Sequence, residues 1–86
     1  MNPDESTHEK ALAFVRDSFR QAIAMRTIDL ELINASRPLA LKYHSREEAF
    51  RDFWHAAGAV STFAVKMGLI TPADAASVLR EYGKKT

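Results

Sequence analysis

The fold depends on residues 26–44, which read RTIDLELINASRPLALKYH. Interpreted as a helix, this stretch extends the apolar face of the preceding residues through Leu30. Interpreted as a β-hairpin, it contains two segments of alternating apolar and polar residues, in which Leu32 would pair with Leu39. In either case residues 34–38 reverse the chain direction, because Asn, Ser and Pro supply the conformations that turns require.

The residue types in this stretch favour the helix. Asp, Leu, Glu, Ala and Lys are poor strand formers, no glycine separates Met25 from Ile28, and an isolated two-stranded hairpin is marginally stable. We therefore predict an all-α fold, a long antiparallel helical hairpin over about 6–35 and 38–67 with a short third helix. The alternative is an α+β fold with a β-hairpin at about 27–44.

Capping residues mark the helix boundaries. Ser6 and Glu9 have the S-x-x-E spacing of a capping box, which predicts that the first helix begins at Ser6. Ser45 and Glu48 repeat this spacing at the start of the clear apolar period of the second helix. Gly68 can take the left-handed conformation that ends that helix.

A third, short helix is predicted between Thr71 and Gly83. Thr71 is a good N-cap, Pro72 suits the first helical position, and Asp74 complements the positive end of the helix dipole. Within the second helix, Gly58 lies in a run of alanines. This smooth section predicts the close approach of another helix.

Size and composition predict a single domain over 6–83, with a flexible N-terminal tail at 1–5 and a basic C-terminal tail at 84–86. The chain has 86 residues, of which 47% are hydrophobic and 27% charged, so it can form one small core. It contains no cysteine, which excludes disulfides and thiol chemistry. We expect a cytoplasmic protein, because its first residues are acidic and polar, unlike a secretory signal peptide.

The composition also narrows the class of partner and of chemistry. A formal net charge of +1 gives no strong field to attract nucleic acid or an anionic membrane. No apolar run is long enough to span a bilayer. No serine lies in a nucleophile elbow, and no glycine-rich phosphate loop is present. We therefore expect a protein that is not an enzyme, binds no cofactor and has no membrane partner.

One set of polar residues has the spacing of metal ligands. His44, Glu48, Asp52 and His55 follow one another at +4, +4 and +3, so a helix would bring them toward one face. That face is the predicted solvent side of the second helix, and the sequence has no H-E-x-x-H motif or paired E-x-x-H motifs. We therefore predict a polar surface and no metal site.

Residues 60–82 contain a degenerate helix-turn-helix pattern, with a glycine turn followed by a capped helix. The helix that would enter the DNA groove begins Pro72-Ala73-Asp74, which directs a carboxylate toward the phosphates. A small DNA-binding transcriptional regulator is therefore the alternative function, and nucleic acid is not the favoured partner.

The predicted helices hold more large apolar side chains than a small three-helix domain can cover. A second subunit or a partner protein would cover such surface. We predict a non-enzymatic protein-binding module, an adaptor, antagonist or regulator, which binds another protein, itself as a homodimer, or both. The predicted interface residues are Phe14, Met25, Ile28, Leu32, Phe50, Trp54 and Phe63.

Overall fold

The computed structural model describes residues 3–84 of the chain, and the side chains of residues 6–84. Within these residues there are helices and turns and no strand, which confirms the all-α prediction and shows that the alternative β-hairpin at 27–44 is wrong. None of the helices described is long and apolar enough to cross a lipid bilayer. In chain order the elements are α1 (Pro3–Ala24), α2 (Leu30–Asn34), a 3₁₀ helix (Leu39–Leu41), α3 (Arg46–Lys66) and α4 (Pro72–Gly83).

The predicted extent of the two long helices, 6–35 and 38–67, is wrong, because α1 ends at Ala24 and α3 begins at Arg46. Side chains compete with the helical backbone after Ala24. Thr27 Oγ1 donates a hydrogen bond to Ala24 O (3.0 Å), and Asp29 Oδ1 accepts one from Glu31 N (2.8 Å). Asp29 thereby caps a new, five-residue helix, α2, instead of continuing α1.

A side-chain amide closes the segment that joins α2 to α3. Asn34 Nδ2 donates to Tyr43 O, and Tyr43 N donates to Asn34 Oδ1, both at 2.9 Å. These two bonds satisfy the backbone N–H and C=O of Tyr43, which in a sheet would bond to a neighbouring strand. The 3₁₀ helix lies inside the loop and begins directly after Pro38.

The predicted caps of the later helices are confirmed. Ser45 Oγ accepts from Glu48 N (3.1 Å) at the start of α3, and Gly68 has a φ of 73° after its end. Thr71 and Asp74 form a capping box at the start of α4. The predicted start at Ser6 is wrong, since α1 begins at Pro3. Proline suits a first helical position, because the N–H that it lacks has no acceptor there.

The predicted tails at 1–5 and 84–86 lie partly outside the residues that the structure describes. Residues 1–2 and 85–86 lie beyond the described part of the chain, whereas the backbone of residues 3–5 belongs to α1.

Contacts between α1 and α3 pair the end of one helix with the beginning of the other. Arg26, just after α1, donates to both carboxylate oxygens of Glu47 in the first turn of α3 (3.1 and 3.2 Å). Val15, near the middle of α1, shares a core cluster with Ala64 near the end of α3. The two helices therefore run antiparallel, with residues 25–45 connecting them.

Two clusters of buried side chains hold the helices together. Phe19 is central to the first cluster, because its ring meets the edge of Trp54 (centroids 4.9 Å apart) and stacks on Tyr82 (6.3 Å). This cluster joins α1, α3 and α4. The second cluster joins the end of α1 to the loop and to the start of α3, and includes Tyr43 and Phe50. The C-terminal half of α3 therefore packs against α1 and α4 in the first cluster. Its N-terminal half packs against the end of α1 and the loop in the second cluster.

Candidate protein-binding groove

A groove of about 400 Å³ lies between α1 and α3. On α1 its residues follow the i, i+3, i+4, i+7 spacing of one helical face. The side chains come from residues 7–15 of α1, from the last turns of α3 and from Leu69 just after α3, and no residue of α4 is among them. The lining residues are Thr7, Lys10, Ala11, Phe14, Val15, Val60, Phe63, Ala64 and Leu69.

Two phenylalanines of this groove are open to solvent. Phe14 on α1 is 61% exposed, and Phe63 on α3 is 62% exposed. Met67, one helical turn beyond Phe63, is also exposed and continues the apolar stripe of α3. Large apolar side chains gathered in one concave place are typical of a surface that another molecule covers.

The charge of the groove is set by one residue. Of the lining residues only Lys10 is charged, and no carboxylate is among them. Lys10 has an exposed side chain. The groove therefore offers apolar surface beside a single positive charge, an arrangement that favours an apolar ligand with an acidic group at its edge.

The groove contains two of the seven predicted interface residues, and four of the others meet in the core. Phe14 and Phe63 share the groove, whereas Leu32 is exposed on α2. Met25 and Phe50 are buried in the second core cluster. Ile28 packs against that cluster, and Trp54 packs against both.

Met25 and Ile28 pack in the core, and not on an exposed face as predicted, because of the turn after α1. A straight helix through residue 35 would have placed Met25, Ile28 and Leu32 beside one another on its flank, but the turn after Ala24 folds Met25 and Ile28 onto the start of α3. The predicted interface did not include Met67, which is 60% exposed. Its position directly after α3, beside Gly68, was the signal that it lies at the open end of that helix.

The residues with metal-ligand spacing do not form a metal site in the part of the chain that is described. No three His, Asp or Glu side chains among these residues converge on one point. Asp52 instead accepts a hydrogen bond from Tyr43 Oη (2.5 Å), and Glu48 Oε2 accepts one from His44 N (3.3 Å). Both carboxylates therefore hold the connecting loop on α3.

The carboxylate that made DNA binding the less favoured function has partners inside the protein. Asp74 Oδ2 accepts from Thr71 N (3.0 Å) and lies 2.8 Å from His8 Nε2. It therefore stays at the N-terminus of α4, the position from which a recognition helix would contact DNA.

Comparison with known proteins gives no relative from which a function could be transferred. No family description matches the chain, no curated protein is significantly similar to it, and no solved structure matches it.

Proposed function

We propose that this chain is a small, non-enzymatic protein-binding module that acts as an adaptor, antagonist or regulator. Its groove between α1 and α3 takes the apolar face of a helix from a partner protein. One observation supports this most: two phenylalanines, each more than 60% exposed, lie in one apolar groove of about 400 Å³.

The shape of the groove suits a helix. A third helix can pack against two antiparallel helices with its side chains between Phe14 and Phe63, in the mode by which amphipathic helices bind grooves. Such a ligand has apolar residues at i, i+3 or i+4, and i+7, and Lys10 adds a preference for an acidic residue at the edge of that face.

The charge argues for a different protein over a second copy of this chain. A symmetric dimer through the groove would bring Lys10 of both copies to one interface, where like charges disfavour association. Leu39 and Leu41 are other exposed apolar residues that a second copy could insert, but the charged residues on either side of them are the basic Arg37 and Lys42. The partner that complements the groove is therefore acidic.

Site-specific photocrosslinking in the cells that make the protein tests this function. Benzoylphenylalanine at position 63 should give a discrete crosslinked product, and the same probe at Ala76, exposed on α4, serves as control. Phe14→Ser should weaken that product by about tenfold or more, as expected for an aromatic anchor. Lys10→Glu should weaken it as well.

Three results would count against the proposal. The first is the same set of products from positions 63 and 76, which would indicate nonspecific contact. The second is a product from position 63 that Phe14→Ser leaves unchanged. The third is a product of twice the chain's mass as the sole species, since that would assign the groove to a homodimer.

A further inference from the structure

A cleft of about 250 Å³ lies between α3 and α4 and shares no lining residue with the groove. It exists because the side chains that face each other there are small. Gly58 of α3 has no Cβ, a Cβ added there meets nothing within 4 Å, and α4 contributes two alanines. The run of small residues that predicted a close helix approach therefore borders an open space. The lining residues are Phe19, Gly58, Ser61, Thr62, Ala75, Ala76 and Leu79.

Ser61 places an unsatisfied hydroxyl group at this cleft. The residue is 7% exposed, and its side chain forms no hydrogen bond with any described residue. Hydroxyls inside helices usually donate to the carbonyl four residues earlier, as Thr62 does to Gly58 O and Ser18 does to Phe14 O, both at 3.0 Å. A buried polar group without a partner destabilises the fold. A ligand in the cleft that bonds to Ser61 Oγ would remove that cost.

The other lining residues determine the charge and polarity of such a ligand. None of the described residues that line the cleft is charged. A charged ligand would lose hydration there without gaining a counter-charge, which selects an uncharged one. Ala75, Ala76 and the half-exposed Leu79 supply apolar walls, and the buried Phe19 lies beneath them. Because the Ser61 hydroxyl can both donate and accept, a single hydroxyl group on an apolar body complements the cleft.

The volume of the cleft limits the ligand to a small molecule. An apolar cavity of about 150 Å³ holds one benzene ring, so a cleft of about 250 Å³ holds roughly ten non-hydrogen atoms. Drug-sized ligands and cofactors occupy pockets of about 300–1,000 Å³. The space therefore suits one substituted ring and is too small for a peptide or a nucleotide.

We propose that the cleft between α3 and α4 binds a small uncharged molecule with an apolar ring and one hydroxyl group, such as an alkylphenol. The ligand hydroxyl bonds to Ser61 Oγ, and the ring packs against Ala76 and Leu79. Ser61 and the groove residue Val60 are neighbours in sequence but point to different sides of α3. The small-molecule site therefore does not rest on the proposed protein partner.

Titration of the full chain with p-cresol, followed by amide NMR, tests this proposal. The signals of residues 58–62 and 75–79 should shift and saturate, with a dissociation constant of about 1 mM or lower. Toluene lacks the hydroxyl and should bind about two- to tenfold more weakly. p-Toluate and p-methylbenzylamine carry a negative and a positive charge on the same ring, and each should bind at least about tenfold more weakly than p-cresol.

Matched variants assign the binding to this cleft. Ser61→Ala should weaken p-cresol by about two- to tenfold and leave the affinity for toluene unchanged, because only the hydrogen bond is lost. Ser77→Ala, which removes an exposed hydroxyl of α4 outside the cleft, should change neither affinity. Ala76→Leu should fill the cleft and abolish saturable binding of both molecules. Ala73→Leu, the same change at an exposed position that does not line the cleft, should leave binding intact.

Several outcomes would overturn the proposal. One is p-cresol binding that Ser61→Ala leaves unchanged, and another is binding that survives Ala76→Leu. Charged rings that bind as tightly as p-cresol would show that the cleft does not select an uncharged ligand. Shifts centred on Phe14 and Phe63 would place the phenol in the groove between α1 and α3 and leave the cleft without a ligand.

Discussion

His8 Nε2 lies 2.8 Å from Asp74 Oδ2 and connects α1 with the first turn of α4, across 66 positions of sequence. The same carboxylate closes the capping box with Thr71. The hydrogen bond from His8, followed by that from the Thr71 backbone, lowers the pKa of Asp74 from its ordinary value of 3.8 to about 2. One ionised side chain therefore caps α4 and fixes it on α1.

This arrangement predicts a specific loss of stability in acid. Because the pKa of Asp74 is lower in the folded chain, Asp74 stabilises the fold above pH 3.8, and this contribution is lost as the pH falls toward about 2. Asp74→Asn should be less stable than wild type at neutral pH, and the difference should shrink over that range. Urea unfolding at a series of pH values measures it.

Glu81→Gln, at an exposed position near the other end of α4, is the control for the change in charge. Its difference from wild type should not follow the same pH course. If Asp74→Asn kept a constant difference from wild type down to pH 2, the assignment of the pKa shift to the folded state would be wrong.

Replacement of Gly68 and of Gly58 by alanine should change the stability of the protein in opposite directions. Gly68 has a φ of 73°, a conformation in which a side chain is strained, so Gly68→Ala should cost roughly 1–2 kcal/mol. Gly58 lies inside α3, and a Cβ added there meets nothing within 4 Å. Gly58→Ala should therefore stabilise the protein by about 1 kcal/mol.

The midpoints of urea unfolding give both free energies, and each variant is the control for the other. The result at Gly58 also bears on a prediction from the sequence, because the close helix approach expected there is not present in the structure. A destabilised Gly58→Ala would show that a neighbour does come close to this position.

Local signals predicted the starts of α3 and α4 correctly because their partners are close in the chain, whereas the same S-x-x-E spacing at Ser6 did not mark the start of α1. Ser45 with Glu48 and Thr71 with Asp74 are three residues apart, so the caps of α3 and α4 could be predicted. The loop could not, since it is held by Asn34 and Tyr43, whose pairing through a side chain has no periodic signature.

The candidate site was predictable in part for the same reason. Phe14 and Phe63 lie off the main apolar stripes of their helices, which indicated exposed surface, and the fold then brought both into one groove. Met25 could not be distinguished from them by spacing alone, because its burial depends on the turn after Ala24.

Phe14 and Phe19, both on α1, should separate binding from stability. Phe19 is 1% exposed and contacts two aromatic rings, so Phe19→Leu should cost roughly 1–3 kcal/mol. Phe14→Leu should change the free energy of unfolding by no more than about 0.5 kcal/mol, because the side chain is mostly exposed. Urea unfolding of the two variants measures this.

In the crosslinking experiment, with folded protein, Phe14→Leu should have the larger effect and Phe19→Leu the smaller one. Phe14→Leu should reduce the product from position 63, while Phe19→Leu, assayed where it remains folded, should retain it. Equal destabilisation by the two substitutions would mean that Phe14 is part of the core, and the groove would lose its main support.

The clamp between Asn34 and Tyr43 should be the feature that holds the connecting loop. Asn34→Ala removes two hydrogen bonds and should cost roughly 1–3 kcal/mol, at 0.5–1.5 kcal/mol for each bond. Asn34→Asp should not rescue the loop, because a carboxylate can still accept from Tyr43 N but repels Tyr43 O.

Hydrogen exchange at the Tyr43 amide should accelerate by about tenfold for each 1.4 kcal/mol of lost local stability. Ser36→Ala, at an exposed position of the same loop, is the control and should leave the exchange rate unchanged. Exchange at Tyr43 that is equally slow in Asn34→Ala and in wild type would show that the packing of the Tyr43 ring, and not the amide pair, closes the loop.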